Sequence, residues 1–483
     1  MRRKPLAVLI GFALLGQVAR AELFDSKLEP FLDALDDMQT RYVDETKVTT
    51  PKLTENAMKG IVDALDSESL LLGKGQVLGP AGPGISIAVI EGAVYVYDVA
   101  EGSAAESAGL EVGNRILRID GKGASGKKRL EVEGMLRGAP GTRAMLLWAD
   151  SRANYREVAF TRSVQAKPAW RNVRMDSVEV VQVFRLDPGS AREISAWLAK
   201  LDPAAVSGAV LDLRFCHLGD PDAGIQLADS CLGEKVLIAE GKGINPKYSR
   251  RYAAGKKGDQ VRIPLVAVVG KWTAGPAEIL AAALQANHRS VLVGEKTFGF
   301  AARQQDFPLA DGRTLRITVE RFSTPLSASI TGRGLEPDLP VAMPVPGKSA
   351  MYMEDHHVAE RFVERVLKEP PAEYDAEALK LGEMKLTAAE LKDRSVAEKR
   401  SEFETTFQIT MEAMLRDQGL DFDREDLEEN RGALISRVRV LLARRLMKPA
   451  DALLASLQED PAIKMAADSI GALERLSGRE KPQ

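Results

Sequence analysis

From Val266 to Gln304 the chain reads VAVVGKWTAGPAEILAAALQANHRSVLVGEKTFGFAARQ. This is an apolar run, a tight loop, an alanine-rich helical stretch, a second apolar run and a second loop. A strand that turns sharply into a helix is a common way to present a nucleophile, because the turn holds one side chain above the sheet. The chemistry suited to such a unit is acyl transfer by a hydroxyl with a base beside it. Yet no serine lies between Ser249 and Ser290, and the turn offers Thr273, Ala274, Gly275 and Pro276. Thr273 is the hydroxyl at hand, and Lys271 and Lys296 are the nearby amines. The histidines supply no other centre. His217 follows Cys216, but two possible ligands fall short of a zinc site. His356 and His357 are adjacent in an acidic helical stretch and do not share a face. His288 ends a helix, where a cation is favoured. No metal or cofactor is expected.

The elements that must position these residues follow from periodicity. Leu23 to Leu72 reads as helical, with apolar residues three and four apart. A glycine- and proline-rich stretch between Leu72 and Ala88 marks a boundary. Gly82 to about Asp150 then alternates short strands with turn signals. From Val178 onward apolar strands alternate with helices, and fully apolar runs such as PLVAVVG suit a sheet covered on both faces. Beyond Met351 the chain is charged and helical, a packing or assembly region. The expected divisions are 1–21, 22–78, 80–152, 168–346 and 351–483.

The first of these, MRRKPLAVLIGFALLGQVARA, has a basic start, a short apolar run and Ala19-Arg20-Ala21, the three parts of a secretory signal with cleavage after Ala21. The expected location is periplasmic or secreted, with no membrane span in the mature chain. Losing Arg2, Arg3, Lys4 and Arg20 takes the net charge of the 483 residues from -3 to -7. A mildly acidic chain is a poor ligand for nucleic acid. Cys216 and Cys231 are separated by a helix expected over about Asp222 to Ser230, too far apart for a disulfide.

Several stretches then converge. SAAESAGLEVGNRILRIDGK resembles a PDZ domain of the form found in bacterial proteases. Behind it come LDLRFCHLGD, KWTAGPAEILAAALQ, VGEKTFGFAARQ and ERFSTPLSASITGRGLEPD, in that order. Together they resemble the carboxyl-terminal processing proteases, secreted or periplasmic Ser-Lys peptidases that cut near protein C-termini. The resemblance implies a multidomain α/β fold (α+β over the whole chain). A PDZ domain is inserted between N-terminal helices and an α/β core, and a helical region follows.

Carried over residue by residue, the resemblance empties the site. The family's Ser-Ala-Ser-Ala-x-Glu-Ile motif falls on Thr273 to Ile279, which puts Gly275 where the nucleophilic serine belongs. The base, a lysine directly after Thr-Phe-Gly, falls on Phe300. Gln304 stands where the family orients that lysine. The oxyanion loop Leu-Arg-Asn-Asn-Pro-Gly-Gly falls on Leu213 to Gly219 and, after Leu213-Arg214, keeps only its last glycine, so Leu218 and Gly219 mark an altered oxyanion region. Glycine offers no atom to acylate, and phenylalanine cannot move a proton. In the PDZ unit the carboxylate-binding loop falls on Gly82, Pro83, Gly84 and Ile85, and Pro83 lacks an N–H. The expectation is a protein that has lost its dyad and binds polypeptide C-termini or extended segments. An active protease relative or adaptor, or a second copy, is a further expected partner. The alternative is a working serine- or threonine-type peptidase with a rearranged site built on Thr273 and Lys296.

Overall fold

A computed structural model describes residues 28–66, 68–73, 81–90, 92–100, 102–110, 113–150, 154–164, 168–255, 260–341, 358–368, 411–416 and 424–476. Residues 1–21, where a signal is expected, and His356-His357 lie outside them. Helices α1 (residues 28–41) and α2 (Thr50–Asp63) begin the described chain. The helical reading stops short of Leu72, because β1 (Leu70–Leu72) is a strand paired antiparallel with Thr314–Arg316. Three leucines in a row fit a strand as well as a helix, and the partner that decides lies far along the chain.

The PDZ-like unit is an antiparallel sheet with two helices. Its elements are β2 (Ile85–Ile90), β3 (Ala93–Val99), α3 (Ala104–Ser107), β4 (Arg115–Ile119), β5 (Lys122–Gly123), α4 (Arg129–Leu136), β6 (Arg143–Ala149) and β7 (Tyr155–Thr161). The strand order β2-β3-β4-β6-β7 leaves β2 at an edge. The unit runs past the expected end at 152, since β7 pairs with β6 along its whole length. β7 alternates polar and apolar residues only weakly, which hid it.

The core opens with β8 (Trp170–Met175), β9 (Val178–Val183), β10 (Arg185–Leu186), α5 (Pro188–Ala199), β11 (Gly208–Asp212), β12 (Leu218–Gly219) and α6 (Pro221–Cys231). It continues through β13 (Leu237–Lys242), β14 (Arg250–Ala253), β15 (Leu265–Val269), α7 (Pro276–Ala286), β16 (Ser290–Gly294), β17 (Ala302–Pro308), β18 (Thr314–Ser323) and β19 (Leu339–Pro340). The strands form two main sheets. β19-β16-β15-β11-β9-β8 is parallel except for β8. β1-β18-β13-β14, with β17 on β18, is antiparallel. α5, α6 and α7 cover one face of the parallel sheet, burying Ile194, Leu198, Leu227, Ile279 and Leu284.

The other face is covered from the helical region, made of α8 (Val358–Lys368), α9 (residues 411–416), α10 (Arg424–Leu446), α11 (Pro449–Glu459) and α12 (Pro461–Leu476). Ile463, Ala466 and Ile470 of α12 and Leu457 of α11 pack on Val180, Val210, Val266, Val268 and Val293. The last two helices therefore belong to the core, which does not end at 346. A sheet face built of valines with Met175 has to be covered, and no sequence between β19 and α11 that the structure describes does it. α8, α9 and α10 form a separate cluster around Phe362, Met414 and Val438. Among the described residues no helix is long and apolar enough to cross a membrane.

Candidate functional site

Ligand sites in parallel sheets gather outside the carboxyl ends of the strands, and here three such loops meet. They leave β11 (Leu213 to Gly219), β15 (Gly270 to Gly275) and β16 (Glu295 to Phe300). Backbone bonds lock them together: Ala274 N–H donates to Cys216 O at 3.1 Å, Phe298 N–H to Thr273 O at 3.0 Å, and Gly275 N–H to Phe300 O at 3.0 Å. The two positions that the resemblance assigns to nucleophile and base, Gly275 and Phe300, are thus direct neighbours.

Gly275 is the N-cap of α7 with φ 60° and ψ −123°, a backbone state that costs a side chain of order 1–3 kcal/mol. Space is not the constraint: a Cβ there would meet nothing closer than the His217 carbonyl oxygen at 3.9 Å. Pro276 follows at the first helical position, where its missing N–H is harmless to the helix. It matters for chemistry. On nucleophile-bearing turns of this kind the N–H of the next residue holds the oxyanion, and Pro276 has none. That loss was legible in the sequence as a proline directly after position 275.

Glu278, one turn into α7, is completely buried. Its carboxylate accepts the Thr297 hydroxyl at 2.5 Å and the N–H groups of Gly299 and Phe300, both at 2.7 Å. Burial pushes its pKa up to about 7, against the pull of those three bonds. The Thr297 loop also ties to the later GRGLEPD turn: Thr297 N–H donates to Leu335 O, Leu335 N–H to the Thr297 hydroxyl, and Gly332 N–H to Gly299 O. Two motifs far apart in the chain are therefore one structural unit that fixes Phe300 beside Gly275.

The other expected site residues fall as follows. Thr273 is fully buried; its hydroxyl donates to Leu213 O at 3.0 Å and accepts from Gly270 N–H at 2.9 Å. The Lys296 ammonium lies 2.6 Å from Glu336 at an exposed position. Gln304 does not reach the 275–300 pair with a hydrogen bond; its amide donates to Glu68 O at 2.7 Å. Leu218 and Gly219 form β12, paired with β10. Gly219 must stay glycine, since a Cβ would stand 1.7 Å from Leu186 O. Cys216 and Cys231 are both buried and unpaired. Burial pushes their thiols up, to about 12 and about 11.

These loops border a cavity of about 930 Å³ that continues between β2 and α4 of the PDZ-like unit. Gly275, Pro276, Phe298 and Phe300 line one end, and Ile87, Val89 and Leu130 the other. Between them sits a charged cluster that sequence reading missed. Arg129 of α4 lies 2.6 Å from Glu68 and 2.5 Å from Glu133. Burial raises the Glu68 carboxyl despite Arg129. Burial would also raise Glu133, but Arg129, with His217 and Arg137 further off, holds it below its usual value. Burial, with Arg129 beside it, pushes the His217 imidazole down to about 4. Nothing in the local sequence pairs Glu68 with Arg129. Lys128 completes the latch by donating to the carbonyls of Asp66 at 2.5 Å and Ser69 at 3.0 Å.

An edge strand beside a helix, opening onto three loops at the end of a parallel sheet, sets a PDZ-like unit against an α/β core. Residues 173–341 match Peptidase family S41 and residues 95–150 match a PDZ domain. These two matches, with the relatives that follow, support the carboxyl-terminal processing protease family. It is 35% identical over 244 residues to the carboxyl-terminal-processing protease of Picosynechococcus sp., covering 49% of this chain and 58% of that one. It is 26% identical over 346 residues to the carboxy-terminal processing protease CtpA of Bacillus subtilis, covering 69% and 72%. Among solved structures, the photosystem II D1 C-terminal processing protease superposes with a TM-score of 0.50 at 22% identity, over 66% of this chain and 93% of that one. At that identity the likeness is one of fold.

Proposed function

We propose that this protein is an exported member of the family that has lost its Ser-Lys dyad and holds polypeptide ends or extended segments in its cleft without cutting them. The observation that carries this reading is the direct contact of Gly275 with Phe300, which puts neither a hydroxyl nor an amine where the dyad would sit. Pro276 supports it by removing the following N–H. The Thr273–Lys296 alternative is opposed by geometry, because the Thr273 hydroxyl is buried with its proton given to Leu213 O and Lys296 points to Glu336. The open edge of β2 and the apolar lining at Ile87, Val89 and Leu130 suit an added strand. Export rests on the first 21 residues.

The test compares the native chain, Thr273→Val, and the variant Gly275→Ser with Pro276→Ala and Phe300→Lys, each incubated with an unstructured peptide of apolar C-terminus. No cleavage by the native chain and gained cleavage by the triple variant are expected. Cleavage by the native chain that Thr273→Val abolishes would overturn the proposal in favour of a rearranged peptidase.

A further inference from the structure

Between Glu240 and Asp259 the chain carries Lys242, Lys247, Arg250, Arg251, Lys256 and Lys257 and not one acidic residue, although its net charge is -3. The described part of this stretch is the hairpin from β13 to β14, which closes over Gly243 to Ser249. Its apex is a built turn. Ser249 Oγ donates to Gly243 O at 2.8 Å and accepts from Gly243 N–H at 3.2 Å. Asn245 Oδ1 accepts from Lys247 N–H at 3.1 Å, and Asn245 O from Tyr248 N–H at 2.9 Å. Gly243 lies against β18, where a Cβ would stand 2.3 Å from Val319 O, and the Tyr248 hydroxyl donates to Gln305. The apex is thus clamped to the antiparallel sheet.

The clamp turns Ile244 outward. Its exposure is 105%, so no neighbour covers it and it adds nothing to the core. Cations surround it. Lys242 and Lys247 stand two residues before it and three after, both exposed, and the Lys247 ammonium sits 4.5 Å from the centre of the Tyr248 ring. Arg321, also exposed, is directly opposite Lys242 in the β13–β18 register, so the two share a sheet face. Arg251 is on that face too, but Glu240 holds it at 3.1 Å. Lys242, Lys247 and Arg321 have no ion pair to a described residue.

We propose that this hairpin docks the protein on an anionic phospholipid bilayer, with Ile244 entering the headgroup layer and Lys242, Lys247 and Arg321 meeting lipid phosphates. Peripheral membrane sites combine a small apolar insertion with cations around it, and both parts are present. Tyr248 adds an amphipathic ring beside the apex, a side chain suited to the same boundary. An acidic polypeptide or a nucleic acid would answer the charge but would offer Ile244 no apolar medium. Neither Ile244 nor the three cations line the cavity, so the site acts whether the cleft holds a chain or cuts one.

The test is sedimentation with vesicles of phosphatidylcholine alone or of equal parts phosphatidylcholine and phosphatidylglycerol. It uses the chain from Glu22 onward, which keeps every described residue and lacks the apolar leader. Binding to the anionic vesicles alone, weakening as salt rises, is expected. At roughly fivefold in partitioning for each cation, Lys242→Gln combined with Lys247→Gln should weaken binding about 25-fold. Ile244→Ser should weaken it with the salt dependence unchanged. Ile244→Trp should keep binding, and its added emission over the native chain should shift to the blue with anionic vesicles. Absent or equal binding to the two vesicles, an undiminished affinity of the double lysine variant, or an unshifted Ile244→Trp emission would overturn the proposal. Capture on immobilised polyglutamate without vesicle binding would overturn it in favour of an acidic polypeptide. Thermal unfolding of each variant verifies that it is folded.

Discussion

Glu278→Gln probes the framework of the site through its pH dependence. Glu278 is buried in the first turn of α7 and holds Thr297, Gly299 and Phe300. Its pKa rises from 4.5 in the unfolded chain to about 7 in the folded one, chiefly through burial. A carboxyl with a raised folded pKa binds its proton more tightly in the native state. Its contribution is fully present below about pH 4.5 and is lost as pH rises through 7. At about 1.4 kcal/mol per pKa unit the loss is about 3 kcal/mol. Glutamine keeps the shape and an accepting oxygen but does not titrate. Urea unfolding of the native chain and the variant, followed by tryptophan fluorescence between pH 4 and 8, isolates this group as the difference between the two curves. The native chain should lose about 3 kcal/mol relative to Glu278→Gln between pH 4.5 and 7.5, with parallel curves outside that window. Amide exchange at Gly299 and Phe300 should accelerate over the same range. A difference that stays constant with pH would show that the carboxyl is not buried as described, and would remove the reason for Phe300 being fixed beside Gly275.

Two further outcomes follow from the geometry. Ile463→Ala, in the charged C-terminal region, should destabilise the core by about 2–5 kcal/mol in urea melts, because Ile463 is fully buried against the valine face of the parallel sheet; a change under about 0.5 kcal/mol would mean that α12 is not docked there. His217 should titrate near pH 4 by NMR, its folded pKa lying below the unfolded value, so stability falls as pH drops through the interval from 6.5 to 4; a midpoint near 6.5 would place the ring in solvent.

Much of the site was readable in the residues because its chemistry is local. The turn from β15 into α7, the bare position at Gly275, the phenylalanine after Thr-Phe-Gly and the proline after Gly275 are all consecutive or nearly so. Side-chain type alone decides whether a hydroxyl or an amine is present. The order of strands and helices was equally legible, since each apolar run or amphipathic stretch reports its own period.

Tertiary structure decided what pairs across long separations. Only folding brings Gly275 N–H to Phe300 O, and only folding buries the Thr273 hydroxyl against Leu213 O. A threonine has the same letter whether exposed or sealed. The fold also turned Leu70–Leu72 into a strand, extended the PDZ-like sheet through β7, and laid α12 on the valine face. Each of these is a choice of partner rather than a local preference. The Glu68–Arg129–Glu133 cluster belongs to the same class. Charged residues carry no period that names their partner, so the cleft they shape emerges only when the PDZ-like unit closes over the end of the parallel sheet.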